Sequence, residues 1–228
     1  MLTCSHNKIN PSTLINLYRN GIFPMGDHND DNQIFWCNPI VRAVIPISKL
    51  HISRSLKKLC RKKKFEFSIT HDFLATVSNC AKREETCINK SIKSTYNTLH
   101  DLGYAHSIEV WEDKKLKGGL YGVAIGKVFF AESMFSKSSN GSKLALIALM
   151  GMLALNQFLL LDVQFMTNHL RNMGAKEISR ALFLNLIKKS SSEKVQFHKP
   201  SSAIIDEKLI NKAEMKSLIG ISELKHQI

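Results

Sequence analysis

Three polar residues interrupt apolar segments of this chain and could do chemistry together. Residues 118–136 predict a β-hairpin, and its second strand carries Glu132 among apolar side chains. A buried carboxylate costs several kcal/mol unless a partner compensates it, so Glu132 is easier to explain as part of a recognition site than as packing. Asp162 and Gln164 follow a second apolar segment. We expect an anionic pocket that accepts an ammonium group or an amine.

The spacing of Asp162 and Gln164 predicts how this pair would act. Residues two apart on a strand point to the same side of the sheet, so Val163 and Phe165 should point the other way. Asp162 could accept a hydrogen bond from the Gln164 amide, which would turn the amide oxygen outward as a neutral acceptor for an amine. The alternative is a strand-end polar pair exposed to solvent.

The same hairpin offers apolar side chains for a second lobe of the pocket. We expect a lining that includes Tyr121, Phe130 and Met134. A pocket that holds a cation beside an apolar group is the resulting prediction.

A short basic segment predicts a surface for a polyanion. Seven cations occur between Arg54 and Lys64 without an acidic residue. On a helix starting at Ser53, one face would carry the basic residues and the opposite face the aliphatic ones, the basic set being Arg54, Lys58, Arg61 and Lys62. An ordinary solvated face is the alternative, but such faces usually mix charges. We therefore expect contact with nucleic-acid phosphates.

The composition agrees with a globular protein that meets an anionic partner. The chain has 228 residues, 44% of them hydrophobic, and a net charge of +13 that favours nucleic acid over a membrane surface, although a lysine-rich bias could also raise it. The five cysteines show neither a Cys-x-x-Cys pair nor zinc-like histidine spacing, so we expect a reducing cytoplasm and no metal. No apolar segment follows the first residues, and no secretory signal is expected.

The order of elements predicts an α/β (α+β) fold of the N-acetyltransferase-like acyltransferase type. Helices precede an antiparallel meander over 106–135, and a helix then crosses to a further strand, giving a mixed, mainly antiparallel sheet flanked by helices. Residues 144–161 are long enough to span a membrane, but a core helix followed by a turn and a buried strand explains them better. We expect a small, irregular N-terminal subdomain (1–40), a catalytic domain (41–190) and a C-terminal tail (191–228).

Six ordered motifs resemble one bacterial enzyme family, the leucyl/phenylalanyl-tRNA-protein transferases. They are Tyr-Arg-Asn-Gly-Ile-Phe-Pro from residue 18, Leu-His-Ile-Ser-Arg-Ser-Leu from 50, Ala-His-Ser-Ile-Glu-Val-Trp from 105, Gly-Gly-Leu-Tyr-Gly-Val-Ala from 118, Phe-Phe-Ala-Glu-Ser-Met-Phe-Ser from 129 and Asp-Val-Gln from 162. The resemblance implies transfer of Leu, Phe or Met from aminoacyl-tRNA to the N-terminal Arg or Lys of proteins. This reaction marks the acceptor for N-degron degradation, in the cytoplasm, with no metal or other cofactor.

The resemblance also implies roles for individual residues. Asp162 and Gln164 match the catalytic pair, and the basic set matches the tRNA-facing cluster. The implied substrate-binding residues are Met25, Trp36, Cys87, Tyr96, Tyr121, Phe130, Glu132, Ser133 and Met134. Met25 and Cys87 replace tryptophans that are frequent in the family and expected near the terminal adenosine, which weakens stacking at this end unless Trp36 substitutes.

Two other functions stay open at the level of the sequence. A CoA-dependent N-acetyltransferase would need a glycine-rich pyrophosphate loop before the core helix, and residues 137–141 have only one glycine. A non-catalytic RNA-binding module would need only the basic helix.

Overall fold

The computed structural model describes residues 2–5, 9–27, 30–31, 33–47, 49–82, 86–190 and 204–214. The strands of this part form two sheets. The smaller sheet has the order β1-β3-β2 and contains β1 (Leu2–Ser5), β2 (Phe23–Gly26) and β3 (Gln33–Cys37). The larger has the order β10-β4-β9-β8-β7-β6-β5 and contains β4 (Val41–Pro46), β5 (Glu66–Ile69), β6 (Ala105–Glu112), β7 (Lys115–Ile125), β8 (Val128–Ser136), β9 (Leu160–Gln164) and β10 (Lys176–Ser179).

The helices begin where the sequence supplies caps. Asn10, Ser53, Asp72 and Asn89 each accept a hydrogen bond from the first turn of the helix that follows. The helices are α1 (Pro11–Arg19), α2 (Arg54–Arg61), α3 (Phe73–Cys80), α4 (Lys90–Asp101), α5 (Gly141–Leu155), α6 (Asn168–Asn172), α7 (Arg180–Ser190) and α8 (Glu207–Glu214).

The predicted meander and crossover are confirmed. Strands β6, β7 and β8 pair antiparallel in sequence order, α5 then crosses the sheet, and β9 returns parallel to β8. The other described pairs of the larger sheet are antiparallel. The parallel pairing is short, since it ends where Phe130 faces Asp162. The polar ends of β8 and β9 therefore lie side by side beyond the last pair.

Two hydrophobic clusters cover the two faces of the larger sheet. The first contains the apolar side chains of α2, α5 and α8, and the second contains those of α1, α3, α4, α7 and the smaller sheet. Helix α5 is buried nearly all round, which explains its continuous apolar sequence. No helix in the described part of the chain is long and apolar enough to cross a membrane.

The N-terminal segment is more regular than expected. The prediction of irregular structure before residue 40 is wrong, because Asn10 and Pro11 start a helix and β2 and β3 pair over four residues. Tyr18 and Phe23 from this segment are buried in the second cluster. The domain limits at 40 and 190 stay predictions.

Part of the predicted tail belongs to the core. Helix α8 packs on α5 so closely that a Cβ on Gly151 would lie 2.5 Å from the Leu209 side chain. Ile204 forms a bridge with Glu66 of β5. Residues 191–203 and 215–228 lie outside the described residues.

Candidate active site

A β-bulge brings Glu132 to the second face of the sheet. Tyr121 pairs with Ser133 while Gly122 pairs with Ala131, so Glu132 is the extra residue on β8. The bulge interrupts the alternation of side chains, and both Glu132 and Ser133 line a cavity. Met134 instead packs, half-buried, against the first cluster on the other face. Met134 is therefore not among the residues that line this cavity, and its predicted contact with the substrate side chain stays a prediction.

Three side chains hold the Glu132 carboxylate. The Tyr18 hydroxyl donates to Glu132 Oε1 at 2.6 Å, and Gln164 Nε2 donates to the same oxygen at 3.5 Å. The hydroxyl of Tyr96 is hydrogen-bonded to that of Tyr18. Burial raises the pKa of both tyrosines well above the usual value, so both stay protonated and can donate. The tyrosines form a relay of hydroxyls that ends on the carboxylate.

The environment of Glu132 shifts the protonation equilibrium of its carboxyl group towards neutral pH. Burial raises the pKa of Glu132 to about 7, while the hydrogen bonds from Tyr18 and Tyr96 oppose the rise. The negative charge of nearby Asp162 adds to the rise. A cation that entered the cavity would favour the ionised form.

Asp162 is held away from the cavity by an arginine. Its oxygens accept from Arg42 Nε at 2.9 Å and from the Arg42 terminal amino group at 2.7 Å, and both side chains are almost fully buried. Arg42 also donates to the Gly21 carbonyl at 3.0 Å and lies between the rings of Phe23 and Phe183. Burial raises the pKa of Asp162, whereas the guanidinium opposes that rise. The expectation that Asp162 faces the pocket beside Glu132 is wrong, because Arg42 occupies the space in front of it.

Gln164 is the member of the predicted pair that reaches the cavity. Its backbone N–H donates to Asp162 Oδ1 at 3.0 Å, whereas the side-chain amide, which was predicted to make that bond, donates to Glu132 instead. Gln164 has φ +57°, a left-handed conformation that is uncommon for residues other than glycine. This turn ends the strand alternation and directs Phe165 into the cavity lining, contrary to the prediction that it points away.

The cavity has a volume of about 210 Å³ and combines polar and apolar walls. Seven of the predicted substrate or catalytic residues meet there, namely Met25, Cys87, Tyr96, Tyr121, Glu132, Ser133 and Gln164. The other lining residues are Phe23, Pro24, Thr86, Ile88, Ile92 and Phe165.

Two predicted aromatic residues lie outside this lining. Phe130 is on the same face but is fully buried beneath the cavity, with its ring 4.9 Å from that of Tyr18. Trp36 pairs with Pro24 across the smaller sheet and packs, half-buried, against the second cluster. The aromatic ring that is exposed at the cavity is that of Phe165, with half of its surface accessible. Trp36 does not line this cavity, and its role in place of a missing tryptophan stays a prediction.

Sequence reasoning missed Arg42, Tyr18 and Phe165. Arg42 is a single cation within the otherwise apolar strand β4, which is the same signal that identified Glu132. Tyr18 belongs to one of the family-like motifs but had no assigned role. Phe165 could not be found from alternation, since the backbone turn at Gln164 reverses the direction of its side chain.

The basic helix forms as predicted, but away from the cavity. Arg54, Lys58, Arg61 and Lys62 are all exposed, while Leu56 and Cys60 are buried in the first cluster. Glu207 of α8 pairs with Arg61 at 2.9 Å, so one acidic residue does meet this face. The helix and the cavity lie on opposite faces of the larger sheet.

Comparisons with known proteins agree on one family. The model for leucyl/phenylalanyl-tRNA protein transferase matches residues 44–188, and the model for the N-terminal domain of that family matches residues 7–39. The leucyl/phenylalanyl-tRNA–protein transferase of Roseobacter denitrificans is 44% identical over 193 residues, which cover 85% of this chain and 92% of the relative. That of Rhodospirillum rubrum is 47% identical over 179 residues, covering 77% and 84%.

A solved structure of a GCN5-related N-acetyltransferase-like protein from Streptococcus suis is also similar, at 12% identity. The match covers 61% of this chain and 60% of that one, with a TM-score of 0.36. The matched family models cover most of the chain, and the bulged Glu132, Gln164 and their tyrosine partners lie within the matched ranges. The chain belongs to the leucyl/phenylalanyl-tRNA protein transferase family.

Proposed function

We propose that this aminoacyltransferase transfers Leu, Phe or Met from aminoacyl-tRNA to the N-terminal Arg or Lys of acceptor proteins in the cytoplasm, and so marks them for N-degron degradation. The observation that carries the proposal is the cavity in which Glu132 and Gln164 meet beside apolar walls. An anionic group and an apolar lobe are the two features that the acceptor and the donor require.

Glu132 is the residue that would recognise the acceptor. Its carboxylate lies at the cavity wall with hydroxyl donors behind it, which leaves the cavity side for a guanidinium or ammonium group. Because the pKa of Glu132 is raised to about 7, binding of a cation would be coupled to loss of the Glu132 proton. We expect acceptor affinity to fall as the pH drops below 7.

Gln164 would orient the attacking amine. With its Nε2 directed to Glu132, the amide oxygen is the atom left to accept a hydrogen bond from the amine. Asp162 acts as a positioning residue, since it fixes the Gln164 backbone from beneath. Because its carboxylate is paired with Arg42, Asp162 acts in this proposal from behind Gln164 and not as the general base.

The reaction needs positioning more than strong acid–base catalysis. The neutral α-amine attacks the ester carbonyl carbon, the bond from that carbon to the ribose oxygen breaks, and a proton from the amine passes to the leaving ribose oxygen, which departs as a hydroxyl group. An α-amino group titrates near pH 8, so the neutral form costs only about 1.4 kcal/mol at pH 7. Alignment of two bound reactants can contribute roughly 7 to 11 kcal/mol.

The apolar walls would hold the transferred side chain and the end of the tRNA. Phe23, Ile88 and Ile92 supply aliphatic and aromatic surface, and Met25 and Cys87 lie where relatives often have tryptophan. The basic set on α2, which comprises Arg54, Lys58, Arg61 and Lys62, would bind tRNA phosphates.

An acceptor series tests the proposal. Labelled leucine from Leu-tRNA should pass to a peptide with N-terminal Arg far faster than to the same peptide with citrulline, the neutral analogue of Arg. In Glu132→Gln the Arg peptide should lose about 100-fold in kcat/KM while the citrulline peptide changes little, because only the Arg peptide has an ion pair to lose. Absence of transfer by the wild-type protein to any N-terminal Arg or Lys peptide would refute the function.

Gln164→Ala tests the orienting role separately. We expect kcat to fall by roughly 10- to 100-fold with little change in the Kd for tRNA, because the amide meets the amine and not the phosphates. Equal losses in turnover and tRNA affinity would contradict this role.

A further inference from the structure

The basic helix and the cavity occupy opposite faces of the sheet. Both, however, reach the same row of strand ends, which we call the edge. The register places the end of β6 at Glu112, the start of β7 at Lys115 and the start of β5 at Glu66 on this edge. Helix α2 ends at Arg61, and the basic residues continue to Lys64, two residues before β5 begins. The ends of β8 and β9, which carry the cavity residues, lie on the same edge.

The first link from the helix towards the cavity is a shared carboxylate. Lys64, at the end of the basic run, is ion-paired with Glu112. Lys117 of β7 binds the other oxygen of Glu112 at 3.0 Å. The acidic residue joins two cations that come from different elements, and it leaves the pair with one net positive charge. The neighbouring turn adds Asp113 together with Lys114 and Lys115, all exposed.

The second link joins Lys117 to the start of α5. The Lys117 carbonyl accepts from the backbone of Lys137 at 2.8 Å, and a Cβ on Gly141 would lie 2.2 Å from the same oxygen. Helix α5 starts at Gly141, and its N-cap residue is Asn140. The Asn140 side chain makes no capping hydrogen bond, and Ser142 N donates to Ser136 Oγ. The positive end of α5 is therefore held at this edge.

The third link is a histidine beside the first turn of α5. His169 of α6 has a buried Nε2 that makes no hydrogen bond within the described part of the chain. Burial lowers the pKa of His169, and the positive charge of Lys143 lowers it further. A buried polar nitrogen without a partner is unfavourable, so a ligand that formed a hydrogen bond at this position would remove a penalty.

We propose that the phosphates at the acceptor end of the tRNA cross this edge on a cationic band made of Lys64, Lys117, Lys137 and Lys143, with the neutral ring of His169 beside it as a hydrogen-bonding group. The band leads from α2 towards the ends of β8 and β9, the two strands whose residues Glu132 and Gln164 line the cavity. That the ligand of this band is tRNA rests on the proposed function. It also explains how one tRNA can contact a helix and a cavity that the sheet separates.

The test compares two donors that differ in their phosphates. The variants are Lys137→Ala, Lys143→Ala and their combination. The matched control is Lys188→Ala, which changes an exposed lysine on α7, a helix that packs in the second cluster. With Leu-tRNA the double variant should raise KM several-fold, whereas leucyl-adenosine, which has no backbone phosphate, should react with unchanged kcat/KM. The control variant should match the wild type with both donors.

Direct binding keeps this test separate from catalysis. The affinity of an uncharged acceptor-stem minihelix with its single-stranded end is measured at several salt concentrations. Loss of two phosphate contacts should reduce the slope of log K against log salt by about 1.4 to 1.8. An unchanged slope, or an equal loss with leucyl-adenosine and Leu-tRNA, would overturn the band even if transfer to Arg peptides is observed. A reduced slope with no transfer would instead support the band and refute the function.

Discussion

Two carboxylates on neighbouring parts of the same sheet meet different environments. Glu109 of β6 is fully buried and accepts from Ser68 and Ser107 at 2.6 Å each, and from Thr76 and the His71 backbone at 3.3 Å each. Glu132 of β8 accepts from Tyr18 at 2.6 Å, from Tyr96 and weakly from Gln164, and it lies on a cavity. Glu109 thus has four protein donors around it, whereas Glu132 keeps one side for a ligand.

The difference shows that burial of a carboxylate does not by itself indicate a binding site. Glu109 interrupts an apolar strand just as Glu132 does, and by that criterion alone it would have been taken for a recognition residue. The number of protein donors distinguishes them, since a fully hydrogen-bonded carboxylate has no need of a ligand. Asp162 is a third case, because a single arginine satisfies both of its oxygens.

The largest effect on stability should come from removing that arginine. Arg42→Met keeps much of the side-chain volume but leaves the Asp162 carboxylate buried without its partner. We expect the free energy of unfolding to fall by about 3 to 5 kcal/mol at pH 8, measured by urea denaturation. The loss should be smaller at pH 5, because burial favours protonation of Asp162 once the guanidinium is gone.

The double variant Arg42→Met with Asp162→Leu separates the ion pair from its consequence. It should recover most of the lost stability, since neither charge is then buried, but should not recover transfer, because the Gln164 backbone loses its anchor. Equal instability of the single and double variants would show that Arg42 acts through packing with Phe23 and Phe183 rather than through Asp162.

The next largest effect on stability should come from Glu109, whose carboxylate accepts four hydrogen bonds from the protein. Glu109→Gln replaces one acceptor oxygen with an amide donor facing hydroxyl groups and the His71 N–H. The free energy of unfolding should fall by about 1 to 3 kcal/mol, because at least one buried polar group loses its partner. Transfer per folded molecule should stay within about twofold of the wild type. A large loss of kcat in a folded Glu109→Gln protein would contradict a purely structural role.

Regular elements of this fold could be predicted from the sequence, whereas local irregularities in its strands could not. The meander, the crossover and the face of α2 were predicted, because they depend on hydrophobic periodicity and capping residues such as Ser53. The positions of Met134 and Phe165 were not, because a one-residue bulge and a left-handed backbone each reverse the alternation locally. Neither irregularity has a distinctive residue such as glycine at Glu132 or Gln164.

The partners of the site were even less accessible to sequence reasoning. Arg42 is 120 residues from Asp162 in the chain, and Tyr18 is 114 residues from Glu132, so only the assembled sheet brings them together. A solitary charge in an apolar strand does indicate that some partner must exist. Pairing Arg42 with Asp162 on that basis would have predicted that the Asp162 carboxylate is buried in an ion pair.

The smallest effect should distinguish Glu132 by its dependence on pH. Because the pKa of Glu132 is raised from 4.5 to about 7 in the folded state, this group contributes stability below about pH 4.5 that is lost as the pH rises through 7. Glu132→Gln mimics the protonated form, so the variant should be more stable than the wild type at pH 8. We expect a gain on the order of 1 to 2 kcal/mol, less than the full shift would give, because the side chain is partly exposed.

Urea denaturation of Glu132→Gln and wild type between pH 5 and 8 measures this gain. The difference should grow up to about pH 7 and then level off, while transfer to an Arg peptide is lost at every pH. Glu109→Gln is the matched control, since the same change of charge there should destabilise the protein. A Glu132→Gln protein that is less stable than the wild type at pH 8 would mean that Glu132, like Glu109, is held by the protein itself and not kept for a ligand.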